Sequence, residues 1–364
     1  MKLLPALFLT VLLTNPNAGA ETPVSAGAGA ADSSPAFAFI SPAVAAGLES
    51  EAGTLVAQDI IKRAEHNLTK SPSPMPKVHT EGTLPHKGIR DQSIQAEGDW
   101  KLMLDFALAY RLTGDSRFLS TTEKFMSAWA GVYQLSFNPI DETSLDQMIF
   151  AYDLTNAALT PATRDKMRDF LRNMSQGYLD KMAHGKKDNA NWQSHRIKLA
   201  VLAAYAVGDP QLIAQARQTF QQQVSANIKA DGSVVDFYKR DALHYVVYDL
   251  EPLTTAAVAA KAHGEDWFHA SVSGGSSIEK AMDWLTPFTL GQKQHEEFVH
   301  SKVAFDAARA KVGLKGYSGM WEPASSIKLY QLASLADPKY AGILKQIPSS
   351  EEHLQDWLVL LAKP

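Results

Sequence analysis

Between Asp231 and Leu253 the chain reads DGSVVDFYKRDALHYVVYDLEPL, which crowds Lys239, Arg240, His244, Tyr245 and Tyr248 into a few positions. Upstream, Asn189 to His195 (NANWQSH) brings Asn191, Trp192, Gln193 and His195. Amide, guanidinium and imidazole donors beside a phenol suit one kind of chemistry, the cutting of an acidic polysaccharide by β-elimination. A base removes the weakly acidic C5 proton next to a uronate carboxylate, and the C4 oxygen leaves. Donors must neutralise that carboxylate and hold the enediolate charge that develops. A base and an acid must lie within hydrogen-bond reach. Tyrosine can serve as both where nearby cations lower its usual pKa of about 10. In mannuronate and glucuronate the C5 proton and C4 oxygen share one side of the ring, so one phenol suffices. Guluronate needs two groups.

Each of these residues also has a plainer use. Asn191 can cap the helix that follows. His195 can be a core histidine, and Arg240 can pair with Asp236 or Asp241. Tyr245 and Tyr248 stand three apart on one helical face, so one of them is expected to pack. His244 stands four before Tyr248, where a protonated imidazole would depress the phenol's pKa. Trp192 and Tyr238 are candidate platforms for sugar rings. Lys186, Lys187, Arg196 and Lys198 could guide a polyanion inward.

The elements that must position these groups read as helices nearly throughout. Apolar residues recur at three- and four-residue spacing in 102–110, 118–132, 145–159, 167–182, 197–207, 212–228 and 253–262. Several helices end in Gly or a small residue with an acid next, as in Gly114-Asp115, Gly208-Asp209, Gly264-Glu265 and Ala336-Asp337. That punctuation reads as a C-cap followed by an N-cap, hence repeated antiparallel hairpins. Hairpins repeated over so long a chain suggest an all-α fold, an (α/α) toroid or a solenoid, and the toroid is favoured because its concave face suits a polymer. Residues 233–238, after the Asp231-Gly232 turn, are the best strand candidate.

With 364 residues, 45% of them hydrophobic, the chain can bury a large core. The absence of cysteine excludes disulfides, thiolate catalysis and Cys metal sites. A net charge of -4 leaves any anionic substrate to local basic groups and argues against nucleic acid. Residues 1–20 read as a signal peptide: Lys2, an apolar run from Leu3 to Leu13, and Ala18-Gly19-Ala20 for cleavage. Residues 21–45 read as a flexible Ala/Gly/Ser/Pro leader and 46–364 as one catalytic domain, working in the periplasm or secreted beyond it, free of the membrane after cleavage.

Other motifs fail on spacing. His295 and His300 stand five apart, not the four that a helical zinc pair needs, so no metal is expected. A glycoside hydrolase would need two flanking carboxylates; Asp99, Asp141, Glu142 and Asp153 are available, with no pair singled out. A third possibility is a non-catalytic polysaccharide binder that keeps only the groove.

Three blocks resemble the alginate-lyase type of polysaccharide lyase, more closely its family 38 branch than the shorter family 5 periplasmic enzymes. They are His79-Thr80-Glu81-Gly82-Thr83 with Ser93 and Asp99; Asn191-Trp192-Gln193-Ser194-His195-Arg196; and Arg240 through Leu253. The likeness runs from His79 to Ala262. It implies that Asn191, His195 and Arg240 neutralise the uronate and assist Tyr248, the base and acid. His244, Trp192, Gln193, Tyr238, Tyr245, Lys239 and His79 would contact substrate. In the family 5 enzymes the Asn and His are adjacent and the Arg stands seven before the Tyr. Here three residues intervene and the spacing is eight, so Gln193 or His244 could take one of these roles. The implied activity is an exported, cofactor-free, monomeric lyase on alginate, with glucuronan as the rival polymer. The segments 71–76 and 292–300 are candidates to close the groove.

Overall fold

A computed structural model of the chain describes residues 36–348 and 350–362, which form one compact unit. The expected signal peptide and most of the leader lie outside the described residues. The helices are α1 (Pro42–Gly47), α2 (Leu55–Asn67), α3 (Arg90–Thr113), α4 (Ser116–Val132), α5 (Asp146–Thr155), α6 (Pro161–His184), α7 (Asn191–Val207) and α8 (Pro210–Asn227). Then come α9 (Val235–Arg240), α10 (Leu243–Ala262), α11 (Ile278–Thr289), α12 (Ala304–Lys311), α13 (Ile327–Ala336), α14 (Lys339–Leu344), α15 (Ser350–His353) and α16 (Asp356–Leu361).

Two of them, α7 and α10, are buried on nearly every face, as helices apolar all round must be. They pack on each other, α7 also meets α5, α5 meets α3, and α10 meets α13. Through α16 and α2 the succession returns to α3. Outside it α4 covers α3, α6 and α8 cover α7, and α14 covers α13. This is the all-helical (α/α) toroid that the repeated hairpins imply. Gly114 and Gly208 end their helices at positive φ, +69° and +70°, and Asp115 and Asp209 cap the next, accepting from backbone N–H groups. Gly264-Glu265 breaks the pattern, because no helix starts there. Glu265 instead accepts from Arg217 and from Trp267 Nε1.

The strand reading of 233–238 is also overturned. The turn at Asp231-Gly232 forms, Lys229 N–H donating to the Ser233 carbonyl at 2.8 Å, but the chain beyond it coils into α9. Among the described residues there are only isolated bridges, Ile228 to Val234 being one.

Nor are residues 36–45 a loose leader. Ala38, Phe39 and Ile40 are buried, and their N–H groups all donate to Asp153, at 2.7, 2.7 and 2.9 Å. The other carboxylates offered for hydrolysis are likewise consumed by the scaffold. Asp99 accepts from Ser73 N–H and Trp129 Nε1. Glu142 accepts from Tyr133, Ser136 and Tyr178. Asp141 accepts from the N–H groups of Thr80 (2.8 Å) and Glu81 (2.7 Å) and lies 2.9 Å from His79 Nδ1, which shapes the 79–82 loop.

Candidate active site

The corner between α9 and α10 is built around Asp241, which sits in the left-handed region at φ 50°. Its carbonyl accepts from Phe298 N–H at 2.7 Å and its carboxylate from His300 N–H at 2.8 Å. Glu297 caps α10 from a distance, accepting from the N–H groups of Leu243 (2.7 Å) and His244 (3.0 Å). Burial, opposed by those two donors, pushes Glu297 up to about 7. The segment 295–300 is therefore a strap that fixes the start of α10. Neither it nor 71–76 lines the cavity described next.

That cavity, of about 350 Å³, is walled by Asn191, Trp192, Arg240, His244, Tyr245 and Tyr248 from the two motif blocks. Other stretches supply Glu81, Gly82, Ile140, Val303, Phe305, Arg309 and Tyr317. A larger cavity, of about 650 Å³, shares only His244 with it and holds no other member of the motif blocks.

Asn191 opens α7 without acting as its cap. Its backbone N–H and its Nδ2 donate to the two oxygens of Asp236, at 2.6 and 2.9 Å, which leaves a second Nδ2 hydrogen for the cavity. Asp236 is wholly buried, and burial raises its pKa against the Asn191 donors and Arg240. Beneath it Asp249 accepts from Ser194 (2.6 Å) and Asn227 (2.5 Å). Burial, with Asp236 nearby, holds Asp249 well above the usual carboxylate range.

Arg240 pairs with neither Asp236 nor Asp241. Its Nη1 donates to Asp306, a wholly buried acid on α12, and its guanidinium lies 4.0 Å over the ring of Tyr245. Tyr245 is the packing member of the tyrosine pair, its hydroxyl accepting from Arg309 at 2.8 Å. The hydroxyl of Tyr248 has no protein hydrogen-bond partner among the described residues.

His195 lies under Tyr248, buried, and its Nδ1 is 2.7 Å from Thr143 Oγ1. Lys198 directs its three hydrogens at the Thr143 carbonyl, Thr143 Oγ1 and Asp146. The threonine's own hydrogen then goes to His195 Nδ1, so the network assigns the proton to Nε2. Burial pushes this imidazole well below its ordinary pKa, with Lys198 and Lys328 adding to the effect and the Tyr248 carbonyl opposing it. Pro252, inside α10, leaves that carbonyl without its helical N–H, and His195 Nε2 is itself buried with no hydrogen-bond partner.

Two electrostatic expectations are corrected. Burial and the neighbouring Arg309 push His244 down to about 4, so at neutral pH it carries no charge with which to acidify Tyr248. Its ring contacts Tyr245, Tyr317 and Phe298. The Tyr248 phenol itself is raised above its ordinary value by burial, with Tyr317 and Glu251 adding and Arg309 opposing. It rests as the neutral phenol.

Four of the expected contact residues do not line the cavity. Gln193 accepts from Arg196 at 3.2 Å. Tyr238 is exposed, bonded to Ser233 and covered by Lys229. Lys239 is exposed, and His79 serves Asp141. Lys198 is no surface guide for a polyanion; it is buried in an ion pair with Asp146. The sequence reading passed over Glu81, Phe305, Arg309 and Tyr317. Glu81 stands within His79–Thr83, where neither its type nor its spacing gives it a role. The other three come from the last third of the chain, where Asp306 and Arg309 look like any i,i+3 surface pair.

A family model described as alginate lyase matches residues 54–295. No curated protein matches the chain. Among solved structures, an alginate lyase from Bacteroides ovatus is similar at a TM-score of 0.67 and 18% identity, over 89% of this chain and 99% of that one. Alginate lyase A1-III from Sphingomonas species A1 is similar at 0.55 and 19%, over 69% and 79%. A Tyr-to-Phe variant of A1-III complexed with tetrasaccharide gives 0.55 and 19%, over 69% and 77%. At these identities the structural likenesses speak to the toroid fold.

Proposed function

Because the chain belongs to the alginate lyase family and is a polysaccharide lyase, we propose that it cleaves 1,4-linked uronic-acid polymers by β-elimination, with the mannuronate-type linkages of alginate as substrate. The products are chains with a 4,5-unsaturated end. One observation carries the reading: the unpartnered hydroxyl of Tyr248 lines the same cavity as Asn191 and Arg240. Asn191 and Arg240 meet the carboxylate of the bound sugar and stabilise the enediolate. Once ionised, the Tyr248 phenolate takes the C5 proton, and the phenol so formed gives that proton to the departing C4 oxygen as the C4–O bond breaks. A single phenol on one side of the ring favours sugars in which both groups share that side.

His195 acts from beneath. With Nδ1 accepting from Thr143 and Nε2 protonated, its role in this reading is to hold Tyr248 in position, without taking the C5 proton itself. The reading includes export, supported by Lys2, the Leu3–Leu13 run and Ala18-Gly19-Ala20, and action as a monomer without a cofactor.

The test is to incubate purified protein with polymannuronate, polyguluronate and glucuronan, following far-ultraviolet absorbance of the new double bond alongside reducing ends. The expected result is absorbance growing fastest on polymannuronate. Reducing ends without absorbance would instead mean hydrolysis, and a preference for glucuronan would reassign the polymer.

A further inference from the structure

The family match ends at residue 295, and Arg309 stands beyond it on α12. Arg240 on α9 and Arg309 on α12 converge on one atom. Arg240 Nη1 donates to Oδ1 of Asp306, and Arg309 Nη1 is 3.6 Å from the same oxygen. Asp306 is sequestered from solvent and bound through its other oxygen by Ser301 Oγ at 2.6 Å. Aromatic faces fix both guanidinium groups: Tyr245 lies 4.0 Å from Arg240, while Phe305 and Tyr317 lie 4.5 and 5.1 Å from Arg309. A guanidinium carries five N–H donors. Asp306 and the Tyr245 hydroxyl engage only Nη1 on each arginine, and Arg240 Nε is buried without a partner. Both side chains line the cavity that holds Tyr248.

We propose that Arg309 is a second catalytic guanidinium, acting with Arg240 on the carboxylate of the reacting sugar, and that Asp306 is the positioning residue that aims both. This rests on the β-elimination reading above. Two guanidinium groups held at one oxygen of Asp306 lie close enough together to share one substrate carboxylate. The enediolate gains charge on two oxygens, and two planar forks can meet both, which one point charge cannot. Arg309 also opposes the upward shift of the Tyr248 phenol, as a cation beside the general base should.

The test begins with wild-type protein on polymannuronate, then compares Arg309→Gln, Arg309→Lys and Arg309→Ala, each checked for folding by thermal melting. Losing one donor to a developing oxyanion costs about 10²–10³ in kcat. Arg309→Gln is expected to lose kcat in that range with a smaller change in KM. Arg309→Lys should recover part of it, and added guanidinium should partly restore Arg309→Ala. Asp306→Asn combined with Arg309→Gln should lose less than the product of the single losses, since both act through one guanidinium pair. If wild type gives no unsaturated product from any polyuronate, the proposal and the lyase reading fall together. If wild type is active and Arg309→Gln keeps kcat within about threefold, far short of the cost of a lost oxyanion donor, this proposal alone falls. A loss that neither lysine nor guanidinium relieves also overturns it, because it marks a packing role.

Discussion

The imidazole of His195 and the phenol of Tyr248 lie with ring centroids 4.3 Å apart and planes at 45°, the histidine buried and the tyrosine at the cavity wall. The tyrosine at the cavity wall thus rests on a neutral ring tied through Thr143 to the Lys198–Asp146 pair. A support of this kind acts through position, because it keeps the hydroxyl turned into the cavity.

Replacing Tyr248 by Phe removes the only atom proposed to move protons while keeping the ring that packs on His195. Turnover is expected to fall at least about 10³-fold, and calorimetric binding of oligomannuronate to stay within a few fold of wild type. Unchanged turnover would transfer the acid and base role to another group.

His195→Ala should lower kcat about 10²-fold with little change in KM, since a misplaced general base costs rate more than binding. Thr143→Val, which removes the hydrogen donated to Nδ1, should show a weaker loss of the same kind. Steady-state kinetics on polymannuronate check both, and a change confined to KM would contradict the positioning role.

Alkaline pH should favour the enzyme. Burial raises the Tyr248 phenol above its ordinary value, so below that value the phenolate fraction grows about tenfold per pH unit. For a phenolate base in the free enzyme, log(kcat/KM) is expected to climb with a slope near one between about pH 7 and 9. A plateau from neutral pH would mean that substrate-free Tyr248 is already ionised or is not the base.

Asp153 should mark stability. Its carboxylate is buried with three N–H donors and no cation, and burial raises it from 3.8 to about 7. The folded state therefore holds this proton more tightly than the unfolded chain. The associated stability is complete below pH 3.8 and is lost as pH rises through about 7. Asp153→Asn is expected to destabilise by about 1–3 kcal/mol through the lost acceptor. It should also flatten the fall in melting temperature between those two pH values. An unchanged slope by calorimetry would remove Asp153 from this role.

Much of the scaffold was legible in the chain because helix formation is local. The apolar spacing of 197–207 and 212–228 marks two helices, and the Gly208-Asp209 break between them is capped by backbone groups a few residues away. Gly264-Glu265 misled because a cap signal works only if a helix follows, and here distant Arg217 and nearby Trp267 claim the acid. Residues 36–45 read as leader by composition, yet backbone N–H groups need no particular side chains, and Asp153 captures three of them.

The sequence by itself determined the helical hairpins, the two motif blocks, and the residue types able to carry a β-elimination, because backbone preference and functional-group chemistry reside in the residues. Only the tertiary structure decided that Arg240 answers to Asp306, that Arg309 and Tyr317 complete the cavity, that Tyr238 and Lys239 stay outside it, and that His244 and Tyr248 are uncharged. Those outcomes depend on which groups meet across long sequence separations and on how much water their burial removes, and neither quantity is written in spacing.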